Sequence, residues 1–464
     1  MTPDPEQPST QVLVVGGGIS GLACAYYLRK AGVSVIVLEQ SNQPGGYIHS
    51  TNRDGCILEE GPQSFLSTDP LLEMVRDIGL EPELLTADPR APRYVLINGK
   101  LRQVPLAPPQ LLTSSLLGTR TKWKFFRDAF GHSRPTEQDE SVAAFVRRKF
   151  TAELLERLVG PFVSGVYAGD PERLSLRAAF PAAHQWETQY GSVIRGAIKS
   201  RPPNGARRHS LITFRRGNQA LVQGLAKSLN DALRCGVRVE NISRVVANGK
   251  QDFTVKISQA GRQTTLRANA LIIATPTDVA GLLLKSFSAE FDALLKPIEY
   301  APVAVISTLY SRQQIAHPLT GFGFLIPRTE GLSILGTVWN SSLFPGRAPE
   351  GSTILTSFAG GATNPSFLEE DDEAITKQAA RELGPILSIH GQPQQCIITR
   401  QRRALPQYNL GHSQRIASLR KLCADFPGLF LAGNYLEGPS VGSCIDLALR
   451  TAQLAREYLA SVRK

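Results

Sequence analysis

Hydrophobic residues fall in distinct rhythms along the chain. Residues 11–15, QVLVV, are a continuous β-branched run, the pattern of a strand buried on both faces. Three glycines (16–18) interrupt it, and LACAYYLRKAG (22–32) then spaces its apolar residues as a helix that stops at Gly32. VSVIVLE (33–39) reads as a second buried strand, ending on an acid. Residues 12–28 carry no charge, but a membrane span needs about 20 apolar residues in helical form. Three successive glycines make a poor helix. The order strand, glycine turn, helix, strand predicts a βαβ unit.

Further along, GVRVENISRVVANGKQDFTVKI (236–257) and TTLRANALIIATP (264–276) alternate as consecutive strands, with a β-hairpin insertion as the plainer alternative. GFGFLIP (321–327) and ILGTVW (334–339) read as paired strands. Near the end, LFLAG (429–433) is a buried strand and SVGSCIDLALRTAQLA (440–455) a helix with an apolar stripe.

The first turn has a chemistry of its own. Gly16, Gly18 and Gly21 form G-x-G-x-x-G, and Glu39 follows at the end of the second strand. The first glycine permits the tight turn, the second lets backbone approach a pyrophosphate, and the third lets helix and strand pack closely. Glu39 accepts from ribose hydroxyls and disfavours a 2′-phosphate. The E-x5-GG spacing from Glu39 to Gly45 and Gly46 resembles flavoproteins of the amine oxidase and desaturase type. EEGPQSF (59–65) resembles the segment that passes the isoalloxazine ring there, and 236–276 the segment that closes over the adenine, with Ile242 near it. The candidate FAD contacts are therefore Gly16, Gly17, Gly18, Ile19, Ser20, Gly21, Glu39, Gln40, Gly45, Gly46, Tyr47, Gly61, Pro62, Gln63, Ser64, Ile242, Gly433, Asn434, Pro439, Ser440 and Val441. The N-terminus of the last helix would face the flavin's pyrimidine edge and favour the negative charge of the reduced flavin.

Composition changes this picture little. The chain has 464 residues, 42% hydrophobic and 20% charged, ordinary for a soluble globular protein. Its net charge of +11 is concentrated: residues 93–216 hold 21 Lys/Arg against 9 Asp/Glu. Such a patch suits an anionic partner, or is a solvated face with none. Six scattered cysteines without a CxxC pair or neighbouring histidines argue against zinc and against a disulfide scaffold, and fit a reducing compartment. MTPDPEQPSTQ shows neither a signal nor a transit peptide. His49, His184 and His412 have no partner legible in the sequence.

Longer stretches point to one family. EEGPQSFLSTDP, APRYVLINGKLRQVP, LVGPFVSGVYAGDPERLSLRAAFP, GFGFLIPRTEGLSILGTVWNSSLFPGRAP and LAGNYLEGPSVGSCID together resemble the protoporphyrinogen oxidases, FAD enzymes of heme and chlorophyll synthesis, of the plastid and cyanobacterial type. The resemblance runs from about residue 12 to 458, and Asn434, where flavoproteins at large carry Asp, follows this family. The missing transit peptide favours a bacterial source or a mature form. The resemblance implies removal of six hydrogens from protoporphyrinogen IX, with oxygen reduced to peroxide. No Ser/His/Asp order, HExxH or paired-carboxylate motif is seen, consistent with a cofactor carrying the hard step. It also implies substrate contacts: Arg93 to a propionate, Gly165 as a close backbone approach, Leu325 and Trp339 as apolar walls. A surface arginine, an ordinary turn and plain core are the alternatives.

The fold class expected is α/β with a helical insert. A discontinuous Rossmann-like FAD-binding domain takes residues 1–90, 206–285 and 425–464; a mixed-sheet substrate domain takes 91–97 and 286–424; a basic, helical, membrane-binding insert takes 98–205. In the insert, Trp123, Phe125 and Phe126 lie among Arg120, Lys122, Lys124 and Arg127. Three prolines between Gln103 and Thr119 argue against a spanning helix there. Amphipathic helices in the interface of an anionic membrane fit better, with an internal core for the leucines as the alternative. RPPNGARRHS (201–210) reads as a basic loop closing the insert. The expected location is peripheral, on the cytoplasmic face of a bacterial or thylakoid-like membrane. The resemblance also suggests a homodimer and handover to ferrochelatase or magnesium chelatase; no nucleic-acid module is apparent. Coproporphyrinogen oxidation, another amine oxidase or desaturase activity, and a non-catalytic carrier like the GDP-dissociation inhibitors remain as other readings.

Overall fold

The structure, a computed structural model, describes residues 9–105, 110, 113–132, 136–200, 210–247 and 250–462. The basic loop expected at 201–210 lies outside the described residues except for Ser210, as do 106–109 and 111–112 of the proline-bearing stretch.

The chain opens with β1 (Ser9–Val15), α1 (Ile19–Lys30) and β2 (Val35–Leu38), the βαβ unit that the sequence predicts. It crosses to a second body through β3 (Arg93–Ile97) and β4 (Lys100–Gln103), then builds helices α2 (Thr119–Phe130), α3 (Val142–Lys149), α4 (Gly160–Tyr167), α5 (Pro181–Tyr190) and α6 (Val193–Lys199). It returns to the first body with β5 (Leu233–Arg234), β6 (Val237–Ala247), β7 (Lys250–Gln259) and β8 (Arg262–Ile273), followed by α7 (Ala289–Leu295). The second body is completed by β9 (Tyr300–Ser311), β10 (Gly323–Leu325), β11 (Ile334–Val338), β12 (Ser352–Gly360) and β13 (Gln395–Pro406). Helix α8 (His412–Ala424), β14 (Leu429–Leu431) and α9 (Val441–Val462) close the chain on the first body.

The first sheet runs β5-β2-β1-β8-β7-β6, and β14 also pairs with β8. Strands β1, β2, β14 and the last part of β8 are parallel, so their carboxyl ends share one edge, where doubly wound sheets bind ligands. Their residues Val12, Leu13, Val14, Val37, Leu271 and Ile272 are fully buried because helices or strands cover both faces. Helix α9 lies along α1, and small residues (Cys24, Ala25, Ala448, Ala452) allow the close approach. The second sheet runs β13-β9-β12-β11-β10-β3-β4 and is antiparallel except for β10 with β3.

Three boundaries need correction. Strand β4 pairs with β3 from Tyr94–Gln103 to Ile97–Lys100, so the second sheet extends to residue 103 and the helical insert does not begin at 98. Helix α7 buries Phe291 and Leu295, and α8 buries Ile416 and Leu419, in the core under the first sheet. Both helices therefore pack with the first sheet, not with the second. An amphipathic face announces that it will be covered but not by which sheet.

The insert has its own core, including Leu116, Leu117, Val142, Phe145 and Leu155. These two leucines are internal, as the alternative reading had it. A charged network ties its helices together. Lys149 Nζ lies 2.6 Å from Asp128 and 3.3 Å from Glu187, and Arg148 forks onto Glu187 and Glu140. Among the described residues no helix is long and apolar enough to cross a membrane.

Candidate flavin and substrate site

At the carboxyl edge of the first sheet the glycine turn has the expected physical form. A Cβ on Gly16 would lie 2.7 Å from the Ala274 carbonyl oxygen, and one on Gly21 only 1.9 Å from the Gly16 oxygen. Neither position admits a side chain. Gly18 differs, because a Cβ there meets nothing within 4 Å. It faces open space at the N-terminus of α1, where backbone N–H groups and the helix dipole favour a phosphate. Glu39 sits across the turn, accepting from Gly17 N (2.7 Å) and Ser41 N (2.8 Å). Each carboxylate oxygen keeps a further lone pair for a hydroxyl donor. The second glycine pair docks on the first: Gly45 N donates to Gly17 O at 2.9 Å, and Gly46 takes a positive φ of 62° beside Gly18. Beside the turn, the Thr275 hydroxyl is buried with no partner.

Other candidate residues converge on the same edge. A Cβ on Gly61 would fall 2.0 Å from Tyr47 O, so segment 61–64 packs directly on the Gly45–Tyr47 turn. The Tyr47 hydroxyl donates to Arg403 O, and burial raises its pKa. Gly433 and Asn434 follow β14, and Pro439 and Ser440 lead into α9, where Ser440 Oγ accepts from Ser443 N at 3.1 Å. Val441 begins the helix. Ile19 and Ser20 open α1, and Gln40 follows Glu39 at the end of β2.

Two cofactor assignments need correction. Ile242 is fully buried in the core, and its carbonyl accepts from Ser286 Oγ at 2.9 Å. A bulge between Val239 and Asn241 shifts the strand's alternation and turns Ile242 inward. The residue of this strand that reaches the Glu39 loop is Val237, whose N–H donates to Glu39 O at 2.8 Å. Gln63 also points inward: its amide donates to Glu59 O and Gly61 O and accepts from Asn340 Nδ2 at 2.7 Å. Its side chain shapes the segment and is not free for a ligand.

Behind segment 59–64 lies a buried ion pair that the sequence did not reveal. Arg347 Nη1 donates to Glu59 Oε1 at 2.6 Å, and both side chains are almost wholly buried. Glu59 also accepts from Asn218 N (3.0 Å) and Ser50 Oγ (2.5 Å), while Arg347 donates to Thr213 Oγ1 and Phe214 O. Burial raises the Glu59 pKa, and the Arg347 guanidinium pulls against that shift. The available signal was an acid next to the apolar strand residues Cys56, Ile57 and Leu58.

The substrate candidates divide. Arg93 is exposed at the start of β3, its guanidinium 5.5 Å from the Phe322 ring centroid, a charged fork held over an apolar plate. Gly165 is exposed on α4, and a Cβ there would lie 2.5 Å from Leu325 Cδ2. The close approach is thus to Leu325, and these two residues are neighbours. Phe162 and Val166 are exposed on the same short helix and extend this apolar face. The helix follows a π-helical turn, Leu155–Val159, a form frequent at functional sites. Trp339 is a correction. It is fully buried, with ring centroids 5.5 Å from Tyr94 and 5.1 Å from His317. A large ring packed on all sides is core, not a wall open to a ligand. Among the described residues no cluster of three or more His, Cys, Asp or Glu could hold a metal.

Residues 19–456 match the family described as flavin containing amine oxidoreductase. The chain belongs to this family. The family's cofactor is FAD, and the open cradle at Gly18, with Glu39 across it, suits that group. The chain is 34% identical to the chloroplastic protoporphyrinogen oxidase of Oryza sativa over 97% of its own length and 89% of that protein's. It is 30% identical to the coproporphyrinogen III oxidase of Bacillus subtilis, over 97% of this chain and 98% of that one. Among solved structures, one from Exiguobacterium sp. 255-15, provisionally named a protoporphyrinogen oxidase, superposes with a TM-score of 0.81 at 25% identity, covering 97% of this chain and 99% of that one. A UDP-galactopyranose mutase, at 14% identity and a TM-score of 0.72, shares the fold. The protein is an FAD-dependent oxidoreductase of this family.

Proposed function

We propose that the protein oxidises protoporphyrinogen IX to protoporphyrin IX, passing the six hydrogens to oxygen as peroxide. The observation that carries this reading is the near full-length likeness to the plant chloroplast enzymes, each 34% identical. When bound, FAD supplies the hydride acceptor. The chain's own residues bind, orient and exclude water. Leu325, Phe162 and Val166 offer an apolar face for a flat macrocycle, with Gly165 keeping that face low. Arg93 offers a propionate two parallel N–H donors.

A second reading, coproporphyrinogen III, is favoured by the Bacillus subtilis relative. Its substrate carries four propionates instead of two. Oxygen uptake and peroxide release on the two porphyrinogens, measured side by side, separate the readings. Faster turnover of protoporphyrinogen supports the proposal; a clear preference for coproporphyrinogen replaces it.

The insert supports a peripheral membrane site. Trp123, Phe126 and Phe130 are 59%, 58% and 74% exposed on α2, at helical spacing that puts them on one face. Exposed Arg120 and Arg127 flank them. Aromatic rings at the level of the headgroups, with cations among anionic lipids, is the geometry of an interfacial helix. Phe125 is instead turned inward against Phe150, ring centroids 5.2 Å apart.

A further inference from the structure

We infer that Tyr408 is a positioning residue for the flavin. Its hydroxyl holds the loop before α9 in place and thereby sets where that helix's N-terminus meets the cofactor. This rests on the flavin lying at the carboxyl edge described above.

Tyr408 is 2% exposed and follows β13. Its hydroxyl donates to Asn434 O at 2.5 Å and accepts from Gly438 N at 2.6 Å. One oxygen thus bridges both ends of the turn Asn434–Gly438, leaving neither backbone group unsatisfied. Burial lifts the phenol's pKa well above its ordinary value, so it stays protonated and keeps both roles. The turn then hands its position to the helix. A Cβ on Gly438 would lie 2.9 Å from Ser443 Oγ, so the turn presses on the first turn of α9. Outside, Glu437 is gripped by Arg420 and Arg450, and the turn is held from two sides.

The ring is fixed as firmly as its hydroxyl. It stacks on His412 at 4.2 Å and 10° between planes, and lies 5.8 Å from Tyr167. Its backbone carbonyl accepts from Ser175 N at 2.8 Å, and neighbouring Gln407 donates to Tyr167 O at 2.8 Å. Tyr167 and Ser175 belong to the helical insert, so Tyr408 joins the insert to the flavin-edge turn through one side chain.

A helix N-terminus favours the anionic, reduced form of a flavin at its pyrimidine edge. Loosening the turn lets that N-terminus retreat, so reduced flavin loses more than oxidised flavin does. For Tyr408→Phe in the holoenzyme, the preference for reduced over oxidised flavin falls roughly three- to tenfold, a drop of about 15–30 mV for a two-electron couple. Flavin release on dilution becomes faster. Tyr408→Leu gives the same drop in potential with a lower melting temperature, because it also loses the stack on His412. A drop in both variants supports the assignment. An unmoved potential in the Phe variant, or a drop only in the Leu variant, overturns it and leaves the ring as packing alone. A parent protein that takes up no FAD refutes the flavin-site reading itself, a separate outcome.

Discussion

Replacing Arg347 with methionine would leave Glu59 buried without its cation. Two donors, Ser50 Oγ and Asn218 N, remain to that carboxylate, but only Arg347 brings charge. Removing one partner of a buried, hydrogen-bonded ion pair costs about 3–5 kcal/mol, mostly as the penalty for the charge left behind. That is roughly two to four powers of ten in the folded-to-unfolded ratio. Burial already pushes the Glu59 pKa up, and the variant loses the main opposing influence. A carboxyl whose folded pKa exceeds its unfolded value favours the fold at low pH, and that favour is lost as pH rises through the folded value. The variant should therefore weaken as pH rises, with a steeper dependence than the parent. Urea denaturation across a pH series, followed by fluorescence, measures this. Adding Glu59→Gln should recover most of the loss. Lys377→Met, which breaks an exposed pair with Glu373, should leave the midpoint unchanged because water screens it. An Arg347→Met midpoint equal to the parent's, or no recovery in the double variant, would mean that the stranded Glu59 charge is not what weakens the fold.

Four further outcomes are expected. Gly18→Val should fold, since no protein atom lies within 4 Å of the new Cβ, but purify colourless because the pyrophosphate space is filled; a flavin-loaded variant moves the cradle elsewhere. His412, its pKa lowered to about 4 first by burial and then by Arg415, stays neutral in the fold while the unfolded chain protonates near 6.5. Stability should fall by about 3 kcal/mol as pH drops from 6.5 to 4, and His412→Phe should flatten that slope; an unchanged slope removes His412 as its source. Arg93→Ala should raise KM for the porphyrinogen several-fold with flavin content intact, and equal kinetics would take Arg93 out of the site. Replacing Trp123, Phe126 and Phe130 with serine should abolish salt-reversible pelleting with anionic vesicles, whereas continued pelleting would assign it to other residues.

The glycine cradle was legible because its requirements are local. Gly16, Gly21 and Glu39 each answer a constraint within one βαβ unit, and a short run of sequence expresses all of them. The strands at 236–276 and 429–433 were readable from patterning, but their return to the sheet of β1 was implied only by the resemblance to flavoproteins. Long-range packing was less so. Trp339 has the composition of a pocket wall, and only the arrival of Tyr94 and His317 makes it core. Ile242 was placed near the adenine by resemblance alone, and a bulge between Val239 and Asn241 turns it into the core. Arg347 and Glu59 are 288 positions apart in sequence, and no local pattern pairs them. Leu116 and Leu117 could cover either a lipid surface or a protein core, since both demand the same residues.

A flavin bound at the Gly18 cradle that takes hydrogen from a porphyrinogen on the Leu325 face should bleach when that substrate arrives without oxygen. Anaerobic mixing of the holoenzyme with protoporphyrinogen IX tests it in one step. The oxidised flavin absorbance should be lost as porphyrin fluorescence is gained, and should return when oxygen is admitted. A flavin that stays oxidised throughout would contradict it.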